Sequence, residues 1–551
     1  IGAHHSSLSR EHRLNVEDRL KKGELRVCVS STSLELGIDI GYIDLVILLG
    51  SPKGVARALQ RIGRAGHKLH DVVKGRIVVL DRDDLVECGV LLKNAIEKNI
   101  DRVYVPKNAL DVLSQHIFGM VVNEPKMVEE VYAEIRRAYP YENLTRADFE
   151  SVMMYLSGAY AGLEVRHVYA KVWVDEKTGL MGKRGKTARM LYMTNIGTIP
   201  DEAKIKVKIG EHVVGTFDEA FMDRLKKGDR FVLGGNTLEF QFARGMTVQA
   251  KGAAGVPTVP SWVSEMLPLS YDLAVEIQKF RRLMQEKFDA KKTRSEIMKF
   301  IDSYLYVDKN ASNAIYEYFW QQYKYAEIPH NGKIVVEQVK DEDMNHFVFH
   351  TLYGRRVNDC LSRAYAYALG RMLHTDIDIL LGDNGFVLRF AGKASPEKLI
   401  SLVHSWELPK IMEIALRSSE VLRRRFRHCA TRALMILRTY MGRTKSVGRQ
   451  QMSSRLLLSA VMRIDENFPI LREARREVTE DLMDLPHAKE IVTAIEQGMI
   501  KVKILPLESF SPFSFNLIAQ GHYDVIRLED RLSFIKRMHE KVMNHVEPAA
   551  A

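Results

Sequence analysis

The sequence predicts a multidomain protein of mixed α/β and α+β class, with a parallel-sheet domain first, then three helices with a β-wing, then a mixed barrel-plus-helical core domain. Three observations carry this. Residues 1 to about 106 alternate helical and strand periods, residues 107–188 switch to short helices closed by a basic hairpin, and the stretch beyond becomes strand-rich before a mostly helical remainder. A chain of 551 residues, 46% hydrophobic and 27% charged, is long enough for about three to four domains.

In the first region a helix is expected over Leu8 to Lys22, strands at Leu25–Val29, Ile43–Leu49 and Arg76–Leu80, and helices from Val55 and from Asp83 to Lys98. That alternation builds a parallel sheet with crossover helices. Gly37, Gly41, Gly50 and Gly54 fall where strands end and turns begin. After Pro106 three helices follow, about Ala109–Val122, Met127–Ala138 and Thr145–Ser157, the last opening on a weak capping box of Thr145 and Asp148. The alternating stretches Val165–Val174 and Met181–Lys186 supply a wing carrying Lys183 and Arg184, so residues 107–188 read as a winged helix.

From Met190 to about Ala250, Ile205–Ile209, His212–Phe217, Arg230–Leu233 and Leu238–Ala243 are strand candidates, and a small β-barrel is expected over about 189–256. The part over about 257–551 holds a split-βαβ pattern, His346–Tyr353, Arg356–Leu373, Asp376–Leu381, Phe386–Phe390 and Pro396–His404, followed by helices. Residues 189–551 therefore read as one core domain.

A formal net charge of +11 favours an anionic partner, nucleic acid first. The four cysteines, Cys28, Cys88, Cys360 and Cys429, are widely separated, with no C-x-x-C and no cluster at metal spacing. No metal site is expected, and the thiols read as reduced groups of a cytoplasmic protein. No run approaches the roughly 20 apolar residues of a membrane span. The N-terminus, Ile-Gly-Ala-His-His, has neither an initiator Met nor a signal pattern and reads as a cut made inside a domain.

Chemistry concentrates in three segments of the first region. Gln60-Arg-Ile-Gly-Arg-Ala-Gly-His67 spaces Arg61 and Arg64 three apart, on one helical face, where planar guanidiniums suit a γ-phosphate. Ser30-Ser-Thr-Ser-Leu-Glu-Leu-Gly-Ile-Asp39 ends a buried strand in hydroxyls, including Ser31 and Thr32, that can grip a sugar-phosphate backbone. Asp39, after Gly37, can accept from a ribose hydroxyl or an arginine. His4-His5-Ser6-Ser7-Leu8-Ser9-Arg10 sets hydroxyls and backbone N–H groups at a helix N-terminus, a phosphate site. The phosphate-cradling loop G-x-x-x-x-G-K-[ST] occurs nowhere.

Two further features are basic or aromatic. Trp262 lies between prolines in Val259-Pro-Ser-Trp-Val263, where a stiff loop can present its ring to a base or seat it as a core plug. Between Arg417 and Arg449 ten Lys or Arg oppose one Glu. Leu422, Phe426, Cys429, Ala433, Leu437 and Tyr440 form one apolar stripe there, leaving Arg423, Arg424 and Arg427 near the other face, as a channel lining or a solvated face.

The three segments look like motifs IV, V and VI of superfamily-two helicases, and with Ala109-Leu-Asp-Val-Leu-Ser-Gln-His116, Thr194-Asn-Ile-Gly-Thr-Ile-Pro-Asp-Glu202, Pro260-Ser-Trp-Val263, Pro268-Leu-Ser-Tyr-Asp-Leu-Ala274 and Arg425-Phe-Arg-His-Cys-Ala-Thr-Arg432 the chain resembles the large helicase-related (Lhr) family along essentially its whole length. It is similar to the branch without a four-cysteine C-terminal module. The resemblance implies a second RecA-like domain over 1–106 and an ATP-dependent helicase moving 3′ to 5′ on single-stranded DNA, opening DNA duplexes and RNA–DNA hybrids in repair or recombination. It implies Arg64 as arginine finger, Arg61 as a phosphate contact, and Gln60, Gly37 and Asp39 beside the nucleotide. His5, Ser6, Ser7, Ser31 and Thr32 would hold the tracking strand, and Trp262 would stack on it. His67 stands where the superfamily commonly has another arginine, in keeping with this family, and is given no catalytic role.

ATP and Mg²⁺ are the implied cofactors, held mainly by a first RecA-like domain upstream of Ile1, in cis or in trans, so this chain alone is expected not to hydrolyse ATP. Two other readings remain at this stage: a nucleic-acid-binding scaffold with a decayed motor, or the partner subunit of a split-gene helicase.

Overall fold

The structure is a computed structural model that describes residues 1–5, 8, 10–35, 43–65, 73–79, 81–199, 204–218, 221, 225, 227–233, 236–244, 247–253, 267–341, 344–417, 419–440, 443–444, 447–521 and 528–546. They divide into two compact units that interleave in sequence. One is built from Ile1–Arg102, Val263–Trp406 and His487–Ala551, the other from Val103–Trp262 and Glu407–Pro486. The region expected as one core domain over 189–551 thus divides between both. No described helix is long and apolar enough to cross a membrane.

In the first unit, β1 (Gly2–His4) pairs parallel with β2 (Cys28–Ser30), and β3 (Val46–Leu49) pairs parallel with β4 (Gly75–Val78). The helices α1 (Arg10–Lys21) and α2 (Val55–Ile62) lie within these pairs, and α3 (Arg82–Ile96) follows β4. Asp81 caps α3 by accepting from the Asp84 N–H, which satisfies one of the helix's open donors. β2 is not the buried strand expected before Ser30, since Val29 is 61% exposed. Val55 and Ala58 of α2 and Val86, Val90 and Leu91 of α3 share a core with the helices Tyr271–Asp289, Arg294–Leu305 and Lys309–Tyr325. An apolar helix face must be covered by something, and here the cover comes from far along the chain.

The same unit holds a five-stranded sheet in the order β15-β16-β14-β13-β19. Its strands are β13 (Lys333–Asp341), β14 (Met344–His350), β15 (Asp378–Leu381), β16 (Phe386–Phe390) and β19 (Lys501–Leu507). β16 lies antiparallel between β14 and β15, with the helix Arg355–Leu373 as crossover, a split β-α-β arrangement. The sequence pattern did not announce β13 or β19, which pair parallel with one another.

The second unit opens with α4 (Leu110–Val121), β5 (Lys126–Met127), α5 (Val128–Ile135), α6 (Arg146–Ser157), β6 (Val172–Asp175) and β7 (Leu180–Lys183), with a sheet order β5-β7-β6. This is a winged helix. The Thr145 side chain accepts from the Asp148 N–H to start α6, and Gly158 ends it at φ 81, a left-handed cap that suits glycine. α7 (Ala188–Asn195) follows.

Next come β8 (Lys204–Ile209), β9 (His212–Asp218), β10 (Arg230–Leu233), β11 (Asn236–Arg244) and β12 (Thr247–Gly252), paired β10-β11-β12-β8-β9. The expected barrel is a curled half-barrel: among the described residues β9 and β10 are edges without a mutual ladder. A Cβ on Gly215 of β9 would lie 2.9 Å from the Leu233 side chain of β10, so the sheet curls until Leu233 packs over that glycine.

Candidate nucleotide and nucleic-acid site

The β1–β2 ladder sets His4 opposite Ser30 and so brings the first two motif segments side by side. His4 is buried, its Nδ1 2.7 Å from Ser33 Oγ and its Nε2 2.9 Å from Glu17 Oε1, while Ser33 Oγ donates to the His4 carbonyl at 2.9 Å. Only the His4-His5 doublet signals this anchor in the sequence, where His5 rather than His4 is the expected site residue. His5 is half-buried just past β1, and Ser31 and Thr32 are exposed past β2, where a 3₁₀ turn, Thr32–Leu34, begins. Ser6, Ser7, Gly37, Asp39 and His67 lie outside the described residues, as does Trp262.

The third segment closes α2. Gln60 is exposed on its last turn, and Arg61 forms an ion pair with Glu35 of the second segment. The helix ends at Ile62, so Arg61 and Arg64 do not share one α-helical face. Instead Arg64 N–H donates to the Arg61 carbonyl at 3.2 Å and Ala65 N–H to the Ile62 carbonyl at 2.9 Å. Bonds of this i to i−3 type tighten the chain and align residues three apart. A Cβ on Gly63 would stand 2.8 Å from the Leu59 carbonyl oxygen, which requires glycine at this bend. Arg64 is half-buried.

The start of α2 is held by groups the sequence reading missed. Asp101 Oδ2 accepts from the Ala56 N–H at 2.9 Å, and its Oδ1 accepts from Ser270 Oγ. Arg57 donates to the Pro268 carbonyl at 3.2 Å. Lys53 Nζ lies 3.0 Å from Glu87, 3.4 Å from Asp84 and 3.4 Å from Asp383. Burial alone would lower the Lys53 ammonium, but Glu87, Asp383 and Asp84 outweigh it and raise it. Burial pushes the Glu87 carboxyl up to about 7 against the pull of Lys53. These groups fix where the arginine segment sits.

In the second unit, Lys183 is half-buried at the end of β7 while Arg184 and Lys186 are exposed. α6 carries one cation, Arg146, held by Glu129 and Glu150 at 2.8 Å each. The cation of the third helix is thus engaged by two carboxylates, while the wing presents Arg184 and Lys186 to solvent. On the helix Glu420–Arg432, Arg423 pairs with Glu420 and Arg424 is half-buried. Arg427 contradicts its expected outward position: it is 4% exposed, among Leu422, Phe426, Cys429, Ala430 and Thr431 on a buried arc wider than one apolar stripe.

Several resemblance-bearing residues turn out to be joints of this unit. Arg432 Nε is 2.6 Å from Asp111 Oδ2, and its Nη2 meets Glu477 and lies 3.3 Å from Cys429 Sγ. Asp111, Cys429 and Glu477 could by spacing hold a metal ion, but the guanidinium takes their ligand atoms. Gln115 accepts from the Gly197 N–H at 3.0 Å and donates to the Arg432 carbonyl at 2.8 Å. The Asn195 amide exchanges two 2.9 Å bonds with the Thr439 backbone.

Two guanidiniums and an amide, Arg61, Arg64 and Gln60, suit phosphate oxygens, which want planar donors in low dielectric. Glu35, the described carboxylate in this group, is engaged with Arg61, so the donor set fits the terminal phosphates of ATP and not Mg²⁺.

Three family models match the chain: "Helicase conserved C-terminal domain" over residues 1–68, "Large helicase-related protein, winged helix domain" over 93–259, and "DEAD/H associated" over 328–514. The chain is 54% identical over 548 residues to the ATP-dependent helicase Lhr-Core of Methanothermobacter thermautotrophicus, covering 99% of this chain and 64% of that protein. It is 46% identical over 553 residues to the Lhr-Core helicase of Saccharolobus solfataricus, covering 98% and 63%. The solved structure of Mycobacterium smegmatis helicase Lhr bound to ssDNA and AMP-PNP superposes with a TM-score of 0.70 at 27% identity, over 94% of this chain and 61% of that one.

The fold is thus a mixed α/β multidomain helicase fold. More narrowly, the chain belongs to the large helicase-related (Lhr) family. It spans a little under two thirds, 64%, of the length of the Methanothermobacter relative.

Proposed function

We propose that this chain supplies the arginine side of a nucleotide site and the strand-gripping surfaces of an ATP-dependent 3′ to 5′ helicase acting on DNA and RNA–DNA hybrids in repair or recombination. The observation that carries the reading is the joining of three motif segments, His4 on Ser33 and Arg61 on Glu35. Relatives named ATP-dependent helicases, and a neighbour bound to ssDNA and AMP-PNP, support it.

In this reading residues 1–106 form the second RecA-like domain, 107–188 the winged helix, and the half-barrel and later segments the core. Arg64 acts on the γ-phosphate of a nucleotide held by another RecA-like domain, in cis or in trans. A guanidinium so placed neutralises charge as the phosphoryl group departs, and contributes about 10³ to 10⁵ in rate. Arg61, oriented by Glu35, contacts phosphate, with Gln60, Gly37 and Asp39 beside it. ATP with Mg²⁺ supplies the driving phosphoryl transfer when bound.

The tracking strand is held by His5, Ser6, Ser7, Ser31 and Thr32 through its backbone, and Trp262 stacks on a base. Lys183, Arg184, Arg423 and Arg424 add a sequence-independent, salt-sensitive attraction. Buried Arg427 has no part in it.

Strand displacement from 3′- and 5′-tailed DNA and RNA–DNA substrates, using this chain together with a P-loop RecA-like domain, tests the reading. Displacement from 3′ tails only is expected, and displacement from 5′ tails only would overturn the polarity.

A further inference from the structure

The two faces of the half-barrel differ in a way the alternation of its strands does not explain. Residues two apart on a strand share a face. Phe240 and Phe242 of β11 do not: Phe240 sits in the core with Phe217, Phe231 and Val248 at 7% exposure, whereas Phe242 is 56% exposed. The cause is a register shift between them, opposite Ala250 and Gln249 of β12. Such a bulge re-aims a side chain. Here it turns a phenyl ring out of a core that holds Phe217, Phe221, Phe231 and Phe240.

Cations surround that ring. The ladders align Phe242 with Gln249 and Lys208 in one row, and Arg244 with Thr247 and Lys206 in the next. Lys206 and Arg244 are exposed, and Lys208 is partly so. These two rows contain no carboxylate; Glu211, in the β8–β9 turn, lies 3.7 Å from Lys208. The neighbouring row balances Lys251 against Glu239 at 3.0 Å.

We propose that this outer face is a binding platform for single-stranded nucleic acid, with Phe242 stacking on a base and Lys206, Lys208 and Arg244 contacting the flanking phosphates. The inference rests on the nucleic-acid reading above and adds a contact outside the motor segments. An exposed ring among cations suits a strand whose bases are free to stack, because every base has a π-face. A duplex keeps its bases stacked on one another and offers this ring nothing beyond charge, and an acidic protein segment would use the lysines without needing the ring.

The test is fluorescence anisotropy of the 551-residue chain with a labelled single strand and the matching duplex, over a salt series. Phe242→Ala is expected to weaken single-strand binding at least about 5-fold, within the range that loss of one stacked base produces, and to leave duplex binding unchanged. Lys206→Gln with Lys208→Gln should reduce the slope of log K against log salt by about 1.4 on the single strand, about 0.7 for each phosphate contact. A bromouracil-substituted strand should cross-link within Asn236–Gly252. Wild-type affinity and slope in both variants, with normal single-strand binding by the parent chain, overturn the platform and leave the motor reading standing. Equal losses on strand and duplex also overturn it, and a parent chain that binds neither overturns both.

Discussion

Arg61, on the last turn of α2, is ion-paired to Glu35, just beyond the 3₁₀ turn that follows β2. The pair ties the arginine segment to the hydroxyl segment. Both side chains are about one-fifth exposed, and such a pair adds only about 0.2–1 kcal/mol to stability. Glu35→Ala should therefore fold normally. In a protein with a P-loop domain it should raise KM for ATP several-fold with kcat little changed, because Arg61 loses its orientation; steady-state kinetics check this.

Glu337 gives a pH dependence. It is fully buried, with His350 Nε2 at 2.7 Å, Ser514 Oγ donating at 2.7 Å, and Ser511 donating through both its hydroxyl and its N–H. Burial would raise this carboxyl, but His350 and the two serines outweigh it and hold it below the usual range. The folded state then binds the proton more weakly than the unfolded one. Its stabilisation is fully present above the ordinary glutamate value of about 4.3 and is lost as pH falls through the lower folded value. Glu337→Ala should cost about 3–5 kcal/mol at pH 7 in urea unfolding, less as pH drops below about 4.

Lys53→Met should destabilise the first unit by about 3 kcal/mol or more, since it leaves Glu87, Asp84 and Asp383 without their shared cation. Glu87 has a raised value of about 7, so it binds a proton more tightly when folded. Stability should fall as pH rises from about 4.5 to 7. In the variant, unfolding at pH 8 should show a larger deficit than at pH 6.

Arg432→Met should cost about 3–5 kcal/mol by stranding Asp111 and Glu477. Burial pushes Asp111 up to about 7 despite the guanidinium beside it, so the cost should be smaller below neutral pH. Because that guanidinium takes the ligand atoms of Asp111, Cys429 and Glu477, added Zn²⁺ should leave the Tm of the parent chain unchanged.

Local signals made much of this legible. The Thr145 cap and the hairpin of Val172–Asp175 and Leu180–Lys183 lie where residue pattern and turn chemistry put them, because caps and alternation are set by near neighbours. What escaped was non-local. Asp383 reaching Lys53, or Lys501–Leu507 lying along Lys333–Asp341, joins segments far apart in the chain, and no periodicity encodes a partner. The inward turn of Arg427 escaped for a related reason: a stripe spaced at three and four shows one packed face, not how widely neighbouring elements close over its edges. The outward turn of Phe242 is set by a bulge, which strand alternation alone does not encode.

If Arg64 acts on a nucleotide while other groups hold the strand, as proposed above, turnover and strand binding separate. Lacking G-x-x-x-x-G-K-[ST], the 551-residue chain alone should show no ATP turnover. The most direct measurement is ATP turnover beside single-strand affinity, for the chain joined to a P-loop RecA-like domain, with and without Arg64→Ala. Arg64→Ala should lower kcat about 10³-fold or more at unchanged strand affinity. Turnover that survives the substitution intact would contradict it.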